Sequence, residues 1–250
     1  MSAFKYSRLQ VFDNLELFAS EDEVAYFPFH FHEYFCISVI TKGTEQLFGT
    51  EQSYFIPAGY IGITQYNEVH RNTSWSEEGY SYKTIYVHPS LLTYFNNGQP
   101  VYELERAIFN PSLFQLLNSL ISHPGSPITL WEQAFRQLVR YAVTPSLSKL
   151  RNFTLADELL AEEPSAKIET GWLARQCFMS KFHFIHEFRK ARGITPQTYI
   201  MIKRLELARK ALLQGGTMKE VAFNHGFYDA SHFATAFRRY YGVTPHQYRK

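Results

Sequence analysis

Residues 188–200 read FRKARGITPQTYI, and residues 237–250 read FRRYYGVTPHQYRK. At one constant offset Phe237 answers Phe188, Gly242 answers Gly193, Thr244-Pro245 answers Thr195-Pro196, and Tyr248 answers Tyr199. The residues ahead of each copy extend the likeness. In the first, Trp172-Leu173-Ala174 belongs to a short helix, CFM makes a turn, and Ser180 caps a second helix running to about Arg192. In the second, Val221-Ala222 lies on a short helix, NHGFYD makes the turn, and a helix runs from about Ala230 to Tyr241. Short helix, tight turn and second helix form a helix-turn-helix, and here it occurs twice.

Phe184/Phe188 and Phe233/Phe237 are four apart, so each pair shares one helix face and is assigned to the core. That leaves Lys181, Phe182, Ile185, His186 and Arg189 on the outer side of the first second-helix. Ala230, Ser231, His232, Thr235 and Arg239 remain on the other. Arg and Lys in such places grip phosphates, while smaller and uncharged side chains reach base edges. Between the copies, Thr195-Pro196 opens a long helix and Gly215-Gly216 closes it. Tyr199, Ile202, Leu205, Ala208 and Leu212 form its apolar stripe, with Lys203, Arg204, Arg209 and Lys210 assigned mostly elsewhere. Some eighteen residues span roughly 27 Å. With the flanking turns this brings the two reading helices near one turn of DNA apart, about 34 Å.

Charge follows the same division. The formal net charge of +2 conceals +10 over residues 166–250 against −8 over residues 1–165. A basic segment beside an acidic one fits a polyanion-binding domain joined to a partner that does not touch the polyanion. With 45% apolar and 19% charged residues the composition is that of a globular chain. No uninterrupted apolar run reaches about 18 residues, so no membrane span is expected. The N-terminal residues lack a signal-peptide core. Cys36 and Cys177, far apart and without CxxC spacing, read as reduced thiols of a cytoplasmic protein.

Residues 26–90 read as short strands punctuated by Gly43, Gly49, Gly59, Gly62 and Gly79, a pattern of a small barrel or sandwich. Two helices follow, begun by Asn110-Pro111 and Ser126-Pro127. Leu113, Leu116, Leu117 and Leu120 mark one; Leu130, Ala134, Phe135, Leu138 and Ala142 mark the other. These helices either cover the barrel or form a dimer face. Residues 144–152 form the best linker stretch, and FTLADELLAEEP is expected to be a short helix capped by Thr154. His30 and His32, two apart on a strand, share a face. With His70 they are read first as effector-binding groups. The alternatives are a three-nitrogen metal site with an open position and plain structural hydrogen bonding. Trp75, Tyr80, Tyr82 and Tyr86 are candidates for the same cavity.

The segment 166–250 resembles the DNA-binding domain of the AraC family of bacterial transcription regulators. LARQCFMSKFHFIHEFRKARGITPQTYIMIKRLELARKALL and VAFNHGFYDASHFATAFRRYYGVTPHQYR carry the likeness. Gly226-Phe227, Asp229, Ser231, Phe233, Phe237, Gly242, Thr244, Pro245 and Tyr248 form its most specific signature. Ile185 and His186 depart from it, standing where the family often has a small polar residue and an arginine. The N-terminal part is similar to the cupin-type sensor domains of the same family, through PFHFHEYFCISVITKGTEQLF, IPAGYIGITQYNEVH and GYSYKTIYVHPSLL. Metal-binding cupin enzymes share the histidines but carry a carboxylate where this chain has Cys36 and Ile37.

The resemblance implies an α+β chain of two domains. A cupin-like effector-binding and dimerisation barrel with following helices spans 1–145, a linker 146–152, and an all-α tandem helix-turn-helix domain 153–250. Expected partners are promoter DNA in two successive major grooves, a small-molecule effector, a second copy and RNA polymerase, with no cofactor, no metal and no membrane. Two rivals stay open: a metal-dependent cupin enzyme tethered to DNA, and a regulator whose barrel only dimerises.

Overall fold

A computed structural model describes residues 4–9, 12, 15–24, 26–50, 52–144 and 168–249. The helix expected over FTLADELLAEEP and nearly all of the linker stretch lie outside them. Chain contacts divide the protein into two compact units, Met1–Tyr26 with Phe31–Ser146, and Phe27–His30 with Leu147–Lys250. A β-rich N-terminal domain is followed by a helical one, as the fold class read from sequence requires.

The first unit holds strands β1 (Phe4–Arg8), β2 (Glu16–Glu23), β3 (Phe35–Lys42), β4 (Thr44–Phe48), β5 (Ser53–Pro57), β6 (Ile61–Thr64), β7 (Arg71–Ser74) and β8 (Tyr80–Val87). Helix α1 (Pro89–Phe95), β9 (Glu103–Leu104), β10 (Ala107–Ile108), α2 (Pro111–Ser122), α3 (Ile128–Leu138) and β11 (Ala142–Val143) follow. The main sheet runs β1-β2-β8-β3-β6-β10, a second runs β5-β4-β7, and β11 pairs with β9.

Alternation along β3 explains the layering. Phe35, Ile37 and Val39 join Ile61, Ile63, Ile85 and Val87 in a core with Leu113, Leu117, Trp131, Phe135 and Leu138 of the helices. So α2 and α3 cover the outer face of the main sheet. Truncating a leucine there, such as Leu117, costs about 2–5 kcal/mol. Asn110 caps α2 as expected, its side chain accepting from the Leu113 N–H. Ser126 does not cap α3: its hydroxyl turns back to the His123 carbonyl, and the helix begins after Pro127 without a side-chain cap.

The other face of β3 presents Cys36, Ser38 and Ile40, in register with Tyr86, Thr84 and Tyr82 of β8 and with Thr64 and Gly62 of β6. Ile40 and Tyr80 pack with Leu47 and Ile56 of the second sheet, closing a sandwich around this face. Gly62 is required by close approach, because a Cβ there would lie 2.9 Å from a carboxyl oxygen of Glu45.

The second unit contains α4 (Thr170–Gln176), α5 (Lys181–Arg192), α6 (Pro196–Leu213), α7 (Met218–Asn224), α8 (Ala230–Tyr241) and α9 (Pro245–Arg249). Helices α4–α5 and α7–α8 are the two expected helix-turn-helix copies, and the 18-residue α6 joins them. Ser180, Thr195, Thr217 and Asp229 each cap a helix with a side-chain oxygen. Gly193 and Gly242 end α5 and α8 in the left-handed region, at φ 75° and 73°.

Candidate nucleic-acid interface and effector site

Both second helices bury one phenylalanine pair and turn the rest of their surface outward. Phe184, Phe188, Phe233 and Phe237 are fully buried. On α5, Lys181, Phe182, His186 and Arg189 are exposed and Ile185 is half-buried. On α8, Ser231, His232, Thr235 and Arg239 are exposed and Ala230 is half-buried. The ten residues proposed from spacing lie on the outer sides of two capped helices, and at the offset of the repeat Lys181, Phe182 and His186 correspond to Ala230, Ser231 and Thr235.

Local contacts refine what several of them present. The Tyr228 N–H donates to His232 Nδ1 at 3.3 Å, so the neutral ring carries its proton on Nε2 and offers an outward donor. On α5, His186 Nδ1 lies 3.0 Å from a Glu187 carboxylate oxygen, and this hydrogen bond holds the Glu187 carboxyl below its ordinary range. An acceptor there suits a cytosine amino group. Two aromatics escaped the spacing argument. Phe178, in the first turn, is 96% exposed at φ 54°, and Tyr228, in the second, is 92% exposed. Nothing in periodicity marks a turn residue, although two bulky aromatics in tight turns were visible as an oddity.

Arg209 departs from its expected place. Rather than facing outward with Lys210, it is buried with Glu206 at 3.1 Å, and its guanidinium donates to the Tyr248 hydroxyl at 2.8 Å. The Tyr241 hydroxyl donates to the same Glu206 carboxylate at 2.7 Å. The group ties α6 to α8 and α9.

In the first unit, His32 and His70 are buried with their ring centroids 5.3 Å apart; His30, also buried, belongs to the second. His30 Nδ1 is 2.8 Å from the Pro28 carbonyl oxygen, and His70 Nδ1 is 2.8 Å from that of Glu68. Burial pushes the His70 imidazole down to about 4, so it is neutral near pH 7. The His32 ring packs edge-on to Tyr86, at 5.6 Å between centroids. Tyr82 lies on the same face of β8 and stacks on Tyr80 at 4.8 Å. Trp75 is placed elsewhere. Strand β7 ends at Ser74, and the indole stands 62% exposed against Phe55.

The same interior carries a carboxyl that sequence reading passed over. Glu45, on β4, is 3% exposed and accepts from the Asn72 side-chain amide. Burial drives it up to about 7, since the amide is a weak substitute for water. Ser38 and Thr84 hydroxyls share a 2.7 Å hydrogen bond, and Thr64 and Ser20 are also buried.

Comparison with known proteins agrees with both units. Residues 14–159 match the AraC-like ligand binding domain, and residues 173–250 match a helix-turn-helix domain. The HTH-type transcriptional regulator YbfI of Bacillus subtilis is 28% identical over 222 residues, covering 82% of this chain and 81% of its own. The HTH-type transcriptional activator RhaS of an Enterobacter species is 22% identical over 247 residues, covering 90% and 88%. Among solved structures, ToxT from Vibrio cholerae shares the fold with a TM-score of 0.59 at 14% identity, covering 99% of this chain and 96% of that one. With the ligand-binding family matched across more than half its length and the helix-turn-helix domain behind it, this chain belongs to the AraC family of transcription regulators.

Proposed function

We propose that the protein regulates transcription by reading promoter DNA through α5 and α8 together, under control of a small molecule held inside the β-rich unit. The observation that carries this is the pair of capped helices, each with its phenylalanine pair buried, whose outer faces hold the ten named residues. Lys181, Arg189 and Arg239 grip phosphates; Phe182, Ile185, His186, Ala230, Ser231, His232 and Thr235 approach base edges. The chain divides into a sensor over 1–145, a linker over 146–152 and a DNA-binding domain over 153–250. It acts in the cytoplasm without catalysis, as a homodimer at a promoter occupied by RNA polymerase, and activates, as RhaS is named to do.

His30, His32, His70 and Tyr82 are the sensor's recognition groups in this reading. A ToxT structure has been solved with an unsaturated fatty acid bound. The hydroxyls of Ser20, Ser38, Thr64 and Thr84 and the carboxyl of Glu45 favour an effector rich in hydrogen-bond donors over a fatty acid.

The test is DNA binding by fluorescence anisotropy, with fractionated metabolite pools added, beside thermal melts of the same samples. One hydroxylated or amino-bearing fraction should both raise the first unit's melting temperature and change DNA affinity. DNA binding indifferent to every fraction, with unshifted melts, would leave the barrel as a dimerisation module.

A further inference from the structure

The two faces of β3 differ in how tightly they are closed. Phe35, Ile37 and Val39, turned to the helices, are 0% exposed, whereas Cys36 and Ser38 on the inner face keep 6% and 8%. Tyr82 and Tyr86, on the same inner face of the neighbouring β8, are half-buried. Strand β3 lies between β8 and β6, and β8 between β2 and β3, so this accessibility does not arise at a sheet edge. Space at least the size of a water molecule borders the inner face.

Glu45 reaches into the same interior from β4. Its carboxyl lies over Gly62, which stands in one row with Ser38 and Thr84 across β6, β3 and β8. Among the described residues Glu45 is paired with no lysine or arginine, and its hydrogen bond comes from the neutral Asn72 amide. The Tyr80 and Tyr82 rings stack at 4.8 Å and 12°. Burial pushes both hydroxyls well above their ordinary range, with the charges of Glu23 and Glu45 adding to it, so both carboxyls lie near these rings.

We propose that this interior binds a small organic cation, an ammonium or amidinium compound, with Glu45 as its counter-ion and the Tyr80–Tyr82 stack as an aromatic wall. A buried carboxylate is costly until a cation pairs with it, and the described residues supply none to Glu45. An anionic guest would meet the buried carboxyls of Glu23 and Glu45 and be repelled. A neutral polyol would find the Ser38 and Thr84 hydroxyls already bonded to each other, whereas a cationic N–H donor gains the carboxylate. Naming this guest as the effector rests on the sensor reading above; binding of the cation does not.

The experiment follows thermal melts and calorimetry of the full-length protein with two cations, methylguanidinium and benzylamine, beside their neutral isosteres, N-methylurea and benzyl alcohol. At about 10 mM at least one cation should raise the melting temperature of the β-rich unit by about 3 °C, and its isostere by less than about 1 °C. Glu45→Gln should weaken cation binding at least about 10-fold, while Glu77→Gln, at an exposed site of the same unit, should not. Circular dichroism reports whether the variants fold, and the isosteric pairs decide in the natural protein if Glu45→Gln does not. Equal shifts from the neutral partners, no shift from either cation, or cation binding kept by folded Glu45→Gln overturns the proposal. Metabolite pools split by ion exchange separate the two readings. A DNA-binding response carried by the neutral or anionic fraction upholds the sensor and overturns the cation. Cation binding without a response to any fraction keeps the site and sinks the sensor reading.

Discussion

The two units bury their carboxyls in opposite ways. In the helical unit, Glu206 meets the Arg209 guanidinium and the Tyr241 hydroxyl, so its charge is matched where it lies. In the β-rich unit, Glu45 accepts from the neutral Asn72 amide and is driven toward protonation by burial. A matched buried pair fixes one arrangement of the chain that carries it, here α6 against α8 and α9. A carboxyl held at the edge of ionisation costs stability at neutral pH and is poised to meet a donor from outside. The difference separates a scaffold that must present two helices rigidly from an interior shaped for a guest.

The comparison breaks most visibly at Arg209. Arg209→Met leaves Glu206 buried without its cation, and the helical unit should lose about 3–5 kcal/mol, read by chemical denaturation of that unit. A loss under about 1 kcal/mol would show that Glu206 finds water or another partner and is not matched by design. Replacing Glu206 and Arg209 together with apolar residues should recover most of the loss.

Glu45 tests the other half, and the sign is fixed by linkage. Its folded value of about 7 lies above the ordinary 4.5, so the folded state holds the proton that the unfolded state releases. Below pH 4.5 both states are protonated and nothing is lost. As pH rises from there stability falls, and above about 7 the full cost of about 3 kcal/mol is present. Glu45→Gln should therefore stabilise the β-rich unit at pH 8 by an amount approaching that figure and leave it unchanged at pH 4. Equal melting shifts at both values would mean that the carboxyl is not the titrating group.

A smaller effect distinguishes the two helix-turn-helix copies. The bonding of the turns pairs Phe178 with Gly226: Phe178 N–H bonds the Arg175 carbonyl and Gly226 N–H that of Phe223, both at positive φ. Glycine takes that conformation freely; phenylalanine is strained in it. Phe178→Gly should stabilise the helical unit by roughly 1 kcal/mol, and Gly226→Ala should destabilise it by a similar amount. If Phe178→Gly also weakens DNA binding, the exposed ring contributes to recognition at the first copy.

How far the sequence was legible depends on how local the cause was. The repeat, its caps and its phenylalanine pairs depend on residues within a turn or two, and all were readable from spacing. His30 and His32 were read as two apart on a strand, but both precede β3, which begins at Phe35, and His70 comes beside His32 only through the fold. Arg209 was assigned outward because helical spacing cannot show that Tyr248, 39 residues on, returns to cover it. Glu45 was missed because alternation in TEQLF places an acid on the inner face, where a pattern reader expects an apolar residue. Trp75 looked like a strand aromatic, but the strand stops one residue earlier.

The central claim is that α5 and α8 both read DNA, one turn apart. Selection of bound sequences from a random library tests it directly, with the natural protein, a Phe182→Ala/His186→Ala variant and a Ser231→Ala/Thr235→Ala variant side by side. The account predicts two motifs centred about 10–10.5 base pairs apart, with each variant relaxing one motif and sparing the other. A single motif, unchanged by the substitutions on one of the two helices, would contradict it.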